Sequence, residues 1–307
     1  MKTCPFFNRC GGCKYDFASD DYHTNKLSEL HDFSFTGAPY WVPIGARWRA
    51  DFCFGDGKFG FFAKSSKDIV QITCCPLLLP QINEILPQLA KLNWVGAGSC
   101  LVTACDNGLD LCIISNIEYF SPEFKNAILT LPVIRVTWNG KVVKQTDTPM
   151  ISFGDRTVIY PSGAFLQPMP SEISGLRDLV VSRASNAHKV ADLFCGLGNF
   201  TFALNADGFD IVGTGVKRDL FKRPLTVSML EKYDCVVMDP PRAGAMAQCA
   251  ELIKSNVKRI IYVSCNPQTF ARDRDVLLQG GYKLIELIPV DQFVGSAHWE
   301  LFSVFEK

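Results

Sequence analysis

The sequence predicts an α/β protein of two domains, a β-rich region followed by an open sheet of strands alternating with helices. Three observations carry this. The chain has 307 residues, more than one hydrophobic core usually organises. Short apolar runs separated by turn signals, Gly55-Asp56-Gly57-Lys58 and Asp106-Asn107-Gly108, fill the first half. In the second half apolar strands stop abruptly in loops and lead into helical patterns, around Lys189 to Thr201, Asp234 to Arg242 and Ile260 to Thr269. The division is placed at residues 1–150 and 151–307.

Composition narrows the class. Hydrophobic residues make up 48% of the chain and charged residues 20%, as expected of a packed protein. Net charge is zero, which does not suggest a broad basic field for nucleic acid and leaves room for a local basic patch. The opening Met1-Lys2-Thr3-Cys4-Pro5-Phe6 has no apolar core of a signal peptide, and no apolar run is long enough to span a bilayer. A cytoplasmic protein is expected, where structural disulfides are rare. The 13 cysteines are then metal ligands, catalytic groups or buried hydrophobes.

Cys4, Cys10 and Cys13 are spaced C-x5-C-x2-C around Gly11-Gly12. Three thiolates need a fourth ligand to complete a four-cysteine site. Cys75, which precedes Pro76, is the best candidate, and Cys74 stands beside it. Zinc and an iron–sulfur cluster suit such a set equally, and three unrelated surface cysteines are the plain alternative.

A helix is expected over residues 19–30. Strands are expected at Trp48 to Phe54, Phe59 to Phe62 and Ile69 to Ile72, and a helix over 78–92 with Pro80 near its start. Further strands cover Leu101 to Ala104, Leu109 to Ile114 and Val133 to Trp138. Arg47, Arg49, Lys58, Lys64 and Lys67, set among aromatics, suit a nucleic-acid surface or simply a solvated strand face.

Leu176 to Arg183 is an amphipathic helix. Next comes strand, glycine loop and helix in Ala191-Asp192-Leu193-Phe194-Cys195-Gly196-Leu197-Gly198-Asn199. Its G-x-G lacks the third glycine of a dinucleotide fingerprint, so pyrophosphate is disfavoured, and Asp192 at the strand end can meet a hydroxylated or cationic ligand. Residues 209–214 look like the second strand, ending at Thr214-Gly215. A later strand ends in Asp239-Pro240-Pro241-Arg242, whose prolines fix a rigid loop and place Asp239 in the crevice mouth. Cys265 follows the strand Ile260 to Val263 and is broken from it by Asn266-Pro267; it is a nucleophile or a small core residue. Glu300 follows His298-Trp299 at a strand entrance. An apolar setting there can raise its pKa toward general-base duty, although a lone glutamate more often faces solvent.

Together and in this order these motifs, with Gly163-Ala164-Phe165-Leu166-Gln167 and Cys75-Pro76-Leu77-Leu78, resemble the RNA uracil-C5-methyltransferases, and within them the iron–sulfur type acting on 23S ribosomal RNA. The resemblance runs from Cys4 to the end. It implies a Rossmann-like S-adenosylmethionine-dependent methyltransferase domain preceded by a β-rich α+β domain. It also implies a [4Fe–4S] cluster on Cys4, Cys10, Cys13 and Cys75. Cys265 would add to C6 of the uracil, Glu300 would remove the C5 proton, and Asp239 would hold the base. Gln167, Asp192, Gly196, Gly198, Asp219 and Asp239 would contact the cofactor. A monomer acting on 23S rRNA is implied, with transfer RNA as a variant target. One departure stands out. The second strand runs almost directly into Arg218-Asp219-Leu220-Phe221, so a strand–helix segment and its ribose-binding acid are missing from the pattern. A catalytically impaired iron–sulfur RNA-binding relative is therefore the alternative, and a redox protein using the cluster alone is the third reading.

Overall fold

The computed structural model describes residues 3–307, apart from the side chain at 171. Two compact units form, and they are not contiguous halves. The first holds residues up to Lys26, Pro43–Pro170 and Val294–Ala297; the second holds Leu27–Val42, Ser171–Phe293 and His298–Lys307. The expected cut at 150 is thus replaced by a division near 170, with a short exchange of segments at either end. The reason lies in local pairing. Strand β1 (Tyr40–Trp41) joins the second unit by pairing in parallel with residues 290 and 291. The hairpin over residues 150–159 belongs to the first.

The first unit begins with α1 (Tyr22–Leu27), shorter than the expected helix, because residues 28–30 tighten into a single 3-10 turn. Its sheet is built from β2 (Arg49–Gly55), β3 (Lys58–Phe62), β4 (Ile69–Gln71), β5 (Gly98–Cys105), β6 (Gly108–Ser115), β7 (Arg135–Trp138) and β8 (Lys141–Gln145), in the order β4-β3-β2-β5-β6-β7-β8. Helix α2 (Pro80–Ala90) lies between β4 and β5 in the chain. Helix α3 (Pro122–Thr130) connects β6 to β7, the one parallel pair of that ladder, as a parallel connection requires. Strands β9 (Met150–Phe153) and β10 (Arg156–Ile159) form a separate hairpin. Stacked rings of Phe52, Phe54, Phe59 and Trp94 fill the core, with centroids 4.5–5.0 Å apart.

The second unit opens with α4 (Ser171–Ser174) and α5 (Leu176–Ala184). Then follow β11 (Val190–Leu193), α6 (Asn199–Leu204), β12 (Asp207–Asp210), β13 (Val216–Lys217), α7 (Val227–Leu230), β14 (Cys235–Met238), α8 (Met246–Leu252), β15 (Arg259–Ser264), α9 (Pro267–Gln279), β16 (Lys283–Asp291) and β17 (Glu300–Glu306). The sheet runs β1-β16-β17-β15-β14-β11-β12-β13, and the strands from β15 to β13 are mutually parallel. Period-two alternation sends Val236, Met238, Ile260 and Tyr262 into one core and Cys235, Val237, Ile261 and Val263 into the other. Both faces are therefore covered, which explains why these strands read as unbroken apolar runs.

The second strand differs from expectation. It ends at Asp210, and residues 211–215 leave the ladder. Asp210 Oδ1 accepts from the Val212 amide at 3.2 Å, and Gly213 takes φ +103°, so the chain turns. Five residues then join β12 to its parallel neighbour β13, where a dozen or more are usual. Ile211, Val212 and Val216 are left exposed.

Candidate active site

Parallel strands that end together place their following residues at one edge. Here β11 ends at the glycine loop, β14 at Asp239 and β15 at Cys265. The last strand, β17, runs antiparallel to β15 and pairs Leu301 with Ser264, so its first residue, Glu300, stands beside Cys265. Asp239 is fixed by its amide, which donates to the Leu193 carbonyl at 3.3 Å. Asn266 caps α9 by accepting from the Gln268 amide at 3.1 Å, and Pro267 occupies the first helical position. Asn266 Nδ2 and Thr269 Oγ1 also donate to the Arg242 carbonyl at 2.9 and 3.1 Å. The loop carrying Asp239 is thereby tied to the loop carrying Cys265. Arg242 Nη2 donates in turn to His298 Nδ1 at 3.1 Å.

The electrostatics of this edge are acidic and dry. Glu300 is fully buried, and neither carboxylate oxygen has a hydrogen-bond partner. Burial, then Asp239, pushes its pKa well above the carboxylate range. Burial also pushes the Cys265 thiol up to about 12, with Glu300 and Asp239 adding to the rise and Arg242 opposing it. Both shifts favour the protonated form. Asp192 is fully buried as well; Thr201 Oγ1 donates to its Oδ2 at 2.6 Å, while Oδ1 has no partner. Its pKa is raised to about 7, by burial first and by Asp210 among the smaller causes.

The glycine loop is engaged by its own chain. The Gly196 amide donates to Asp210 Oδ2 at 2.9 Å, and its carbonyl accepts from the Thr214 amide at 3.1 Å. A Cβ at Gly213 would land on that carbonyl, so only glycine lets the short connection lie there. Asp219 turns its carboxylate to the amides of Phe221 and Lys222 at 3.1 and 3.3 Å.

Four cysteines gather in the first unit. Burial pushes Cys13 up to about 12, and Cys75, Cys10 and Cys4 push it further. Burial raises Cys75 to about 11, again with Cys4 and Cys10 contributing. Burial raises Cys74 as well, with Cys4 adding to the rise. The Gly12 amide donates to Cys10 Sγ at 3.3 Å, and Asn83 Oδ1 accepts from the Cys75 amide at 2.7 Å. Among the described residues no three ligating groups already stand at metal-holding separation. Gln167 belongs to this unit too; its carbonyl accepts from Trp48 Nε1 at 2.6 Å.

Comparison with known proteins follows the same residues. The family model for tRNA (uracil-5-)-methyltransferase matches residues 214–307, the stretch holding Asp239, Cys265 and Glu300. An uncharacterized RNA methyltransferase of Caulobacter vibrioides is 32% identical, over 99% of this chain and 86% of its own length. The chain belongs to the RNA uracil-5-methyltransferase family. Within that family, the Salmonella paratyphi A 23S rRNA (uracil(1939)-C(5))-methyltransferase RlmD is 27% identical over 99% of this chain and 81% of its own. The fold of this RNA methyltransferase is like that of the Pyrococcus abyssi tRNA (uracil-54, C5)-methyltransferase crystallised with S-adenosyl-L-homocysteine. The TM-score is 0.71 at 20% identity, over 92% and 81% of the two chains. Among its described residues no helix is long and apolar enough to cross a membrane.

One contributor is not visible in the sequence pattern. Asp210 reads as an acid inside a strand, but that pattern runs four residues past the end of the strand.

Proposed function

We propose that this enzyme, acting as a monomer, methylates C5 of a uridine in 23S rRNA through a covalent adduct at C6, with S-adenosylmethionine as donor. The observation that carries this is the meeting of Cys265 and Glu300 across the β15–β17 ladder, with both Glu300 oxygens buried and unpartnered. Such a carboxyl needs a ligand to satisfy it. The uracil edge, extruded from its stack, is suited to that.

The cofactor supplies an electrophilic methyl on a sulfonium cation. An edge where Asp192 Oδ1 and both Glu300 oxygens are buried without a hydrogen-bond partner suits a positive ligand. Asp192, Gly196, Gly198, Asp219 and Asp239 would hold it. Cys265 Sγ bonds to C6, which gives C5 carbanion character and lets it take the methyl. Asp239 holds the base by its polar edge. Glu300, once ionised, takes the C5 proton, and the C6–S bond then breaks to restore the ring. The raised pKa of Cys265 means that its proton must leave on substrate binding rather than beforehand.

Cys4, Cys10, Cys13 and Cys75 would hold a [4Fe–4S] cluster. Cys10, Cys13 and Cys75, whose thiols are raised by burial and by neighbouring thiols, are stabilised as thiolates by a bound cationic centre, and the Gly12 amide is already aimed at a sulfur. The missing strand–helix segment is supported by the alignment to the Caulobacter relative. It extends over 356 residues although the chain has 307.

The test is transfer of labelled methyl to 23S rRNA and, separately, to transfer RNA, using protein purified without oxygen. Transfer to 23S rRNA that is abolished in Cys265→Ala is the expected result. Transfer to transfer RNA alone would move the target to the variant favoured by the family model's description. No transfer to either RNA would leave an RNA-binding relative as the better reading. Iron and sulfide in the purified protein, lost in Cys13→Ser, test the cluster.

A further inference from the structure

The Asp239 loop has a second attachment, behind the site and away from the reacting groups. Asp273 lies in the second turn of α9 and is fully buried. Its Oδ2 accepts from the Ala245 amide at 2.6 Å and from the Tyr262 hydroxyl at 2.7 Å. Its Oδ1 accepts from Arg272 Nε and Nη2 at 2.8 and 2.7 Å. Arg272 Nη2 also donates to the Ala243 carbonyl at 2.9 Å. Gly244, at φ +75°, presses so close that any Cβ would strike the Asp273 carboxylate. With Asn266 and Thr269 on the Arg242 carbonyl, one helix grips the backbone at 242, 243 and 245. The same helix starts two residues after Cys265, and Tyr262 stands three residues before it.

We propose that Asp273 is a positioning residue for the methyl-transfer site. It locks the Asp239-Pro240-Pro241-Arg242 loop and the Cys265 turn to a single body, and so sets the spacing between the group that holds the base and the nucleophile that attacks it. This rests on the methyltransferase reading above. The two prolines transmit the constraint, because the loop between Asp239 and the grip has little freedom to absorb a shift. A carboxylate is required for a simple reason of hydrogen-bond inventory. Four donors from three segments converge on two acceptor oxygens, and a carboxylate alone offers acceptors on both sides with no hydrogen of its own. An asparagine must turn its NH2 toward one pair of donors and lose that pair.

The test is Asp273→Asn in the full chain, read by amide hydrogen exchange and by steady-state methylation. The expected result is loss of exchange protection over residues 239–245, with β15 protection retained. The kcat should fall on the order of 100-fold, as for misplacement of a reacting group by about 1 Å, with KM for RNA within about threefold. A merely structural role predicts lower stability with kcat unchanged in the folded fraction, which overturns the proposal. So does an exchange pattern in residues 239–245 that stays as in the wild type. If Asp273→Asn does not fold, Thr269→Val, which removes one donor from the Arg242 carbonyl, must show the same two effects in smaller measure. If the wild type transfers no methyl group, the methyltransferase reading fails, while the exchange pattern still decides whether Asp273 holds the loop.

Discussion

Cys265 stands one residue beyond the Ser264–Leu301 rung and Glu300 one residue before it, so an antiparallel ladder puts a thiol and a carboxyl side by side in a dry pocket. Burial raises both pKa values, and Glu300 adds to the rise at Cys265. The protonated forms of both groups are favoured, and this has measurable consequences.

The first concerns the thiol. With the Cys265 pKa at about 12, the thiolate fraction near neutrality is minute and grows tenfold with each pH unit. Alkylation of Cys265 by iodoacetamide, followed by peptide-resolved mass spectrometry, is expected to accelerate about tenfold per unit from pH 7 to 10 with no plateau. A plateau near pH 8.5 would mean that the free enzyme already stabilises the thiolate.

The second concerns Glu300. Its folded pKa lies above its unfolded value, so the folded state binds the extra proton. Stability is then greatest at low pH and falls as pH rises from the unfolded pKa toward the folded one. Glu300→Gln keeps the shape and removes the ionisation. The advantage of the variant over the wild type should be larger at pH 8 than at pH 5, shrinking by at most about 1.4 kcal/mol for each pH unit descended. Urea denaturation across that range measures it. A pH-independent difference would show that Glu300 has a partner in solution.

Much of this was legible beforehand, for physical reasons. Cys265, Asp239 and Asp192 were placed correctly because an apolar run cut short by proline or glycine marks the carboxyl end of a buried strand. Glu300 was visible only as a carboxylate beside an aromatic; its neighbour across the ladder is 35 residues away in sequence, and register is a tertiary fact. The end of the second strand was misplaced because Ile211 and Val212 continue its apolar pattern, while the turn is imposed by the Asp210 carboxylate, which accepts from the Gly196 amide 14 residues earlier and from the Val212 amide. The division into units was misdrawn for the same reason, since two residues at 40 and 41 find their partners at 290 and 291.

The last consequence concerns the shortened connection. Asp210 and Thr214 use both backbone polar atoms of Gly196, the residue at the centre of the glycine loop. A nucleoside ligand that approaches this loop must displace those two hydrogen bonds. Each contributes about 0.5–1.5 kcal/mol net, so together they weaken binding by roughly 5- to 150-fold. Binding of S-adenosylhomocysteine, followed by calorimetry, is expected to be weak in the native chain. It should tighten at least about tenfold when residues 211–215 are replaced by a connection of about a dozen residues, the usual length between parallel strands, since that gain recovers only about 1.4 kcal/mol of the displacement cost. Asp210→Asn removes the charge while its amide oxygen can still accept from Gly196 N, so this variant should bind like the wild type if the connection itself is the obstacle. It should bind more weakly still if the Asp210 carboxylate turns to the ligand. Low-micromolar binding by the native chain, unchanged by the longer connection, would mean that the ligand reaches the site without disturbing Gly196.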